Sequence, residues 1–501
     1  MSGLQLKFEE TGTLDGTGEV IMNSPGLGAT ITSHASTVGT FGPNQTIRGV
    51  GQIQGAIVND GLIIAEPLSG GTELLMNGYA KTNNSTIRAD AGATIGVLGS
   101  TITQNDTNGV LLANGGVIHL QGSSVIHGGR LEAASGGKLV ASGNAARLED
   151  VISNAPIEVL TGNNLLNLGG TFLVNNNTIT VSSRLGVDDN VEISGTGEIV
   201  LDSLLGADFN IAAGFTATLG SGHVLRRTAA GNVSSSRVNG PGTFINNGRV
   251  EGASVSVRMN FNGPVGGSGT MKNVNITNIH SPGDPGGTAQ VPLEGTYEIS
   301  FFGQLNLELC GTTPGLEYDQ LFSTDPANVF MITPGSTKLN VSFLPGYFPT
   351  NGDVFTLVDT AGTITGNFSQ INLPPLPSGF NWLDISTPQT IAYQFIAPLA
   401  GDFEEDGDVD GDDLNRWQAN YATGSTHMQG DADDDSDVDG RDFLIWQRQY
   451  GSGVPLVAAQ AAVPEPSTCA LLMISVVSFV RMRLSPKRRA FQRLKIQSFR
   501  S

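Results

Sequence analysis

The chain has 501 residues, 67 of them glycine, with 14% charged and 6% aromatic residues and a formal charge of −20. That length allows several domains, and a composition rich in Gly, Asn, Ser, Thr and Val favours many short strands joined by tight turns over a helical enzyme. The acidic balance repels phosphate backbones and argues against nucleic acid as a partner, while two cysteines, Cys310 and Cys469, with no Cys/His cluster, leave no disulfide framework and no zinc or iron–sulfur site.

Met1 to Lys7 shows no basic stretch followed by an apolar run, so no secretory signal is visible, although the far end of the chain argues for export. Residues 1–285 then repeat a short unit of the form Gly-x-Gly-x-apolar: Gly16 to Val20, Gly49 to Ile53, Gly195 to Ile199, Gly240 to Phe244 and Gly267 to Met271. Between these lie Asn59 to Ile63, Asn114 to Ile118 and Asn246 to Val250, each pairing turn residues with aliphatic ones. Turn then strand, repeated at an irregular period, predicts a right-handed parallel β-helix whose coils bury their apolar side chains against one another. The glycine pairs lack the third glycine, the amphipathic helix and the acidic partner of a dinucleotide fingerprint.

Parallel β-helices also carry polysaccharide lyases and hydrolases, which need paired carboxylates, or a base beside Arg, Lys or Ca²⁺. The polar groups to weigh are Asp188-Asp189, Glu149-Asp150, His119, His127 with Arg130, and His223 with Arg226-Arg227. They are scattered over separate turns, where solvated turns or stacked polar ladders account for them. No catalytic residue is assigned.

After Pro282 to Gly287 the strands lengthen and become more aromatic, which predicts a second, β-rich cap module over 286–398. Glu317 to Leu321 and Gly352 to Leu357 resemble the C-terminal passenger segment of autotransporter-like surface β-helices. The resemblance implies a cap that closes the last rung against end-to-end association. Tyr318-Asp319 reads as a turn.

Residues 399–453 repeat themselves after 29 residues. Asp402, Glu404, Asp406, Asp408, Asp410 and Asp413 recur as Asp431, Asp433, Asp435, Asp437, Asp439 and Asp442, and Trp417, Gln418, Tyr421 and Gly424 recur as Trp446, Gln447, Tyr450 and Gly453. Oxygen ligands at positions 1, 3, 5, 7, 9 and 12 of a loop wrap a hard cation such as Ca²⁺, the seventh through its backbone carbonyl, so two Ca²⁺ sites are expected. The 15 acids between 402 and 442, against Arg416 and Arg441, would repel one another strongly without divalent cations. Loop one has Gly407 at the sharply turning position 6 and loop two has Ser436, so the second site is expected to be strained and weaker. Leu414, Trp417 and Tyr421, and again Phe443, Trp446 and Tyr450, have the spacing of a buried helix face. The whole is similar to a type I dockerin, two loop–helix units in tandem. That resemblance implies a cohesin-like partner, though Gly411-Asp412 and Gly440-Arg441 stand where dockerins commonly carry small hydroxyl or apolar residues.

Residues 454–463 form an Ala/Val/Pro linker, followed by Pro464-Glu465-Pro466, an apolar run from Thr468 to Val480, and eight basic groups with no acid from Arg481 onward. The order motif, apolar run, basic end over 464–501 resembles the PEP-CTERM sorting signal. It implies transient membrane contact, recognition by an exosortase-type membrane protease, cleavage near the motif and delivery to a polysaccharide-rich cell surface. The expectation is therefore an extracellular, non-enzymatic structural or adhesive protein with extracellular polysaccharide as a partner. The rival is a secreted polysaccharide-degrading β-helix enzyme that carries a dockerin.

Overall fold

The computed structural model describes residues 4–453 except 25–27, 230–235, 284–285, 378–379 and 398; the linker expected at 454–463 and the sorting signal expected at 464–501 lie outside them. Met1–Ala397 form one compact unit and Pro398–Ser501 a second. The first is a parallel β-solenoid. Each coil contributes one strand to each of three stacked faces. One face runs Gln5–Phe8, Thr30–Ser33, Gly51–Ile53, Glu73–Asn77, Thr94–Leu98 and onward, every neighbour paired in parallel. A second begins at Gly12–Leu14 and Gly39–Phe41, and a third at Glu19–Met22 and Thr46–Gly49.

The repeated glycine units turn out to do two jobs. Gly195 has φ +102, a conformation that suits glycine, and turns the chain into the next strand. Two residues on, a Cβ at Gly197 would strike the carbonyl oxygen of Asn177 in the preceding coil. Gly240 and Gly242 divide the work in the same way, so the motif fixes both the turn and the close stacking of coils.

Strand alternation supplies the core. In register, Ile31 lies against Ile53, Ile53 against Met76, Met76 against Val97 and Val97 against Leu120, all buried. Each such side chain stabilises the fold by about 1.5–3 kcal/mol. Some inward-pointing polar residues bond to one another along the stack: Asn59 donates to Asn83 (2.9 Å), and Asn83 donates to Gln104 (3.3 Å).

The separate module expected at 286–398 is narrower than the sequence suggested. Gln290–Ile299, Gln304–Leu309, Val329–Ile332 and Lys338–Phe343 continue the same parallel ladders with longer coils. Among the described residues only Asn381–Asp384 and Thr390–Ile396 depart, pairing antiparallel with each other, the latter also with Val354–Thr360. Trp382, Phe355, Phe380 and Phe395 pack there with ring centroids 5.4–5.9 Å apart. That aromatic cover is the cap.

The described residues of the second unit form two α-helices, α1 (Gly411–Asn420) and α2 (Gly440–Gln449), each following one acidic loop. Its core is Phe403, Val409, Ala432 and Trp446, with Leu414, Trp417 and Phe443 partly buried against them. Tyr421 and Tyr450, expected on the buried face, are exposed. Each is the C-cap of its helix with ψ near 130°, so its side chain has left the helical face and packs at a steep ring angle against the tryptophan four residues earlier, with centroids 5.1 Å apart in both copies.

Candidate metal centre

The ninth position of each loop is the N-cap of the helix that follows. Asp410 caps α1 by accepting from the Asp412 N–H (2.7 Å), and Asp413 returns the bond by accepting from the Asp410 N–H (2.7 Å). This is a capping box. Asp439 and Asp442 repeat it at the start of α2, with bonds of 2.6 and 2.7 Å. The twelfth-position carboxylates do more than cap. Asp413 Oδ1 also accepts from the Phe403 N–H (2.6 Å), and Asp442 Oδ1 from the Ala432 N–H (2.7 Å). Both side chains are fully buried, and so they tie the start of each loop to the start of its helix.

The first-position carboxylates hold the middle of each loop. Asp402 accepts from the N–H groups of Asp406 (3.1 Å) and Gly407 (2.9 Å), and Asp431 accepts from Ser436 (3.0 Å). At position 6 the backbone is left-handed in both loops, φ +99 at Gly407 and φ +70 at Ser436. Loop two therefore holds a side chain where the conformation favours glycine, which is the strain expected from the sequence.

Four groups of carboxylate oxygens lie within 4.8 Å of one another: Asp408, Asp410 and Asp413; Glu404, Asp410 and Asp412; Asp431, Asp433 and Asp442; Asp437, Asp439 and Asp442. Asp402, Asp406 and Asp435 are in none of these groups; Asp435 instead lies 3.4 Å from Arg441. Asp412 was not among the expected ligands, because the loop template skips position 11. Partial burial, then the neighbouring carboxylates, raise Glu404, Asp408, Asp433 and Asp437 above the usual carboxylate range, while burial raises Asp402 and Asp413. Two oxygens in these loops, Asp408 Oδ1 and Asp431 Oδ1, are buried with no hydrogen-bond donor. Orphaned buried oxygens in an all-oxygen set of crowded carboxylates are chemically suited to a hard divalent cation.

The loops are also tied to each other. Trp417 Nε1 donates to the carbonyl of Asp439 and Trp446 Nε1 to the carbonyl of Asp410, both at 2.9 Å. The buried Val409 and Val438 serve as backbone partners of the opposite helix ends, Val409 O accepting from Gly451 (2.8 Å) and Val438 O from Ala422 (2.9 Å).

On the solenoid, several of the scattered polar groups are brought together. Arg147 forms ion pairs with Glu149, Asp188 and Asp189, and His127 Nδ1 lies 3.3 Å from Glu149. Asp150 is spent on the backbone of Thr171 and Phe172. His119 sits in a polar ladder with Ser142 (2.8 Å) and Gln121 (3.2 Å). His223 is fully buried against Asn175 (2.9 Å), and burial lowers it to about 4. Arg226 forms a two-pronged pair with Glu198, and Arg227 donates to the carbonyl of Arg258 (2.7 Å). Arg130 pairs with Glu132 at 3.7 Å. Asp319, 1% exposed, accepts from the N–H groups of Ala289 (2.7 Å) and Glu308 (2.8 Å), and burial pushes it up to about 7.

No family model matches the chain, and a comparison with curated proteins likewise finds no match.

Proposed function

We propose that the chain is an extracellular structural or adhesive protein in which a long β-solenoid carries a calcium-dependent association module, the paired loops of 399–453. The observation that carries this reading is the duplicated site: two loops 29 residues apart, each gathering carboxylates around a capping box, with crowded and orphaned oxygens left over. Loop one would offer a cation Asp402, Glu404, Asp406, Asp408, Asp410 and Asp413, and loop two Asp431, Asp433, Asp435, Asp437, Asp439 and Asp442. The bound ion would supply positive charge that relieves carboxylate repulsion and links ion binding to folding. The Pro464-Glu465-Pro466 motif, the apolar run and the basic end support sorting to the cell surface by an exosortase-type protease, with a cohesin-like protein and extracellular polysaccharide as partners.

The rival enzyme draws on the Arg147 cluster, a place where carboxylates, a histidine and a cation meet. There Arg147 is engaged by all three carboxylates, as in a structural ion cluster. The test of the calcium reading uses residues 399–453. Helical circular dichroism should rise on adding Ca²⁺ to the chelated peptide, and much less with Mg²⁺, which demands a smaller, more regular shell. A peptide already helical in chelator and indifferent to Ca²⁺ would count against it.

A further inference from the structure

The third face of the solenoid narrows abruptly near its end. Thr243–Asn246 is followed by two strands of only two residues, Val265–Gly266 and Ile279–His280, before the six-residue strands Gln304–Leu309 and Lys338–Phe343 restore the width. The shortfall leaves a cleft of about 580 Å³. Part of its wall is Ser281, Pro282 and Gly283, held in place by paired backbone bonds between Gly267 and Gly283 (2.6 and 3.0 Å).

The lining divides into two halves. At one end are Ile245, Pro264, Ile279 and Pro282. At the other are the outward side chains of two consecutive coils, with Asn306 in register with Asn340 and Glu308 in register with Ser342. Asn340 donates to the side-chain oxygens of Asn306 (2.8 Å) and Gln304 (3.2 Å), which locks these amides in one orientation. Their own donors, Gln304 Nε2 and Asn306 Nδ2, form no hydrogen bond among the described residues, and neither does the half-buried carboxylate of Glu308. Asp319 also lines the cleft, but its two oxygens are committed to backbone N–H groups. Among the described residues, no Lys, Arg or His lines the cleft.

From this lining we propose that the cleft is a binding site for an uncharged sugar residue of a glycan. A pyranose has apolar C–H faces and a rim of hydroxyls that both donate and accept. The aliphatic and proline half suits the former, and two free amide donors beside a free carboxylate acceptor suit the latter. The negative lining with no cation disfavours uronates and other acidic sugars. Among the described residues the cleft presents one unengaged carboxylate, Glu308, which suits binding of a sugar hydroxyl. The assignment deepens the adhesive reading and rests on it.

The test is calorimetric titration of the full chain with neutral oligosaccharides (gluco-, galacto- and manno-oligomers) and with oligouronates. Two variants accompany it: Glu308→Gln, which removes the acceptor charge at constant shape, and Ser342→Phe, which fills the cleft from an exposed strand position. Binding of a neutral oligomer that weakens on the order of tenfold in both variants, with unchanged circular dichroism, is expected. Absence of neutral-glycan binding, wild-type affinity retained by either variant, or preference for oligouronates would each overturn the assignment. Glycan binding that both variants retain would leave the adhesive reading standing and move its site elsewhere; a chain that binds no glycan of either class fails both.

Discussion

The indole of Trp417, on the helix that follows loop one, donates to the main-chain carbonyl of Asp439, the ninth residue of loop two, at 2.9 Å. Trp446 makes the reciprocal bond to Asp410, also at 2.9 Å. Each helix thus fixes the residue that caps the other, and ordering one loop pre-orders its partner. Filling one site should therefore raise the affinity of the second.

Trp417→Phe keeps the ring packing against Phe443 but removes the donor. A net hydrogen bond contributes about 1 kcal/mol, so the linkage between the two binding steps should fall roughly fivefold. Calcium titration of the wild-type and variant chains, fitted to two steps, checks this. Equal stepwise constants in both proteins would show that the indole bonds do not couple the loops.

Position 6 gives a paired prediction with opposite signs. Ser436→Gly should relieve a left-handed serine and stabilise loop two by about 1 kcal/mol, tightening its calcium binding several-fold. Gly407→Ala should weaken loop one by a similar amount. A Cβ at Gly407 meets nothing within 4 Å, so the cost comes from φ alone and not from a clash. A calcium titration in which both substitutions moved affinity the same way would refute this account.

Buried Asp319 makes the solenoid sensitive to pH. Its folded pKa, raised to about 7, lies above the unfolded value, so the stability it contributes is full below about pH 4 and is lost as pH rises through about 7. The loss amounts to a few kcal/mol at most. The melting temperature of the wild type, relative to Asp319→Asn, should fall between pH 4 and pH 8. A constant difference across that window would mean that the carboxyl titrates normally.

The 29-residue register made the loops legible, because ligand spacing and helix starts are both local. The crossed indole bonds were not legible, since they depend on how two helices meet. The spacing of Leu414, Trp417 and Tyr421 suggested one buried face, yet Tyr421 is the C-cap and turns away with ψ 129°. In the solenoid, the glycine pairs announced the turns directly. The change of composition after Gly287 suggested a change of fold, but pairs such as Val329 with Thr363 show the same ladder spanning a longer coil. Glu308 drew no notice because a polar residue facing outward on a strand is ordinary, and only the narrowing of two earlier strands makes its position a cleft.

The C-terminus supplies the last prediction. Thr468 to Val480, 13 residues of low polarity, would reach about 20 Å as a helix, short of the roughly 30 Å hydrocarbon core. The eight basic groups that follow favour staying on the cytoplasmic side. If this run engages a membrane, a length too short to span it comfortably is what a cleavable signal, rather than a permanent anchor, would have. In a host with an exosortase, the mature protein should end near Pro464 to Pro466 and partition with the envelope or extracellular fraction. Glu465→Ala should leave the uncut chain in the membrane fraction. Intact-mass measurement decides the matter, and a surface protein still ending at Ser501 would replace the sorting signal with a plain membrane tail.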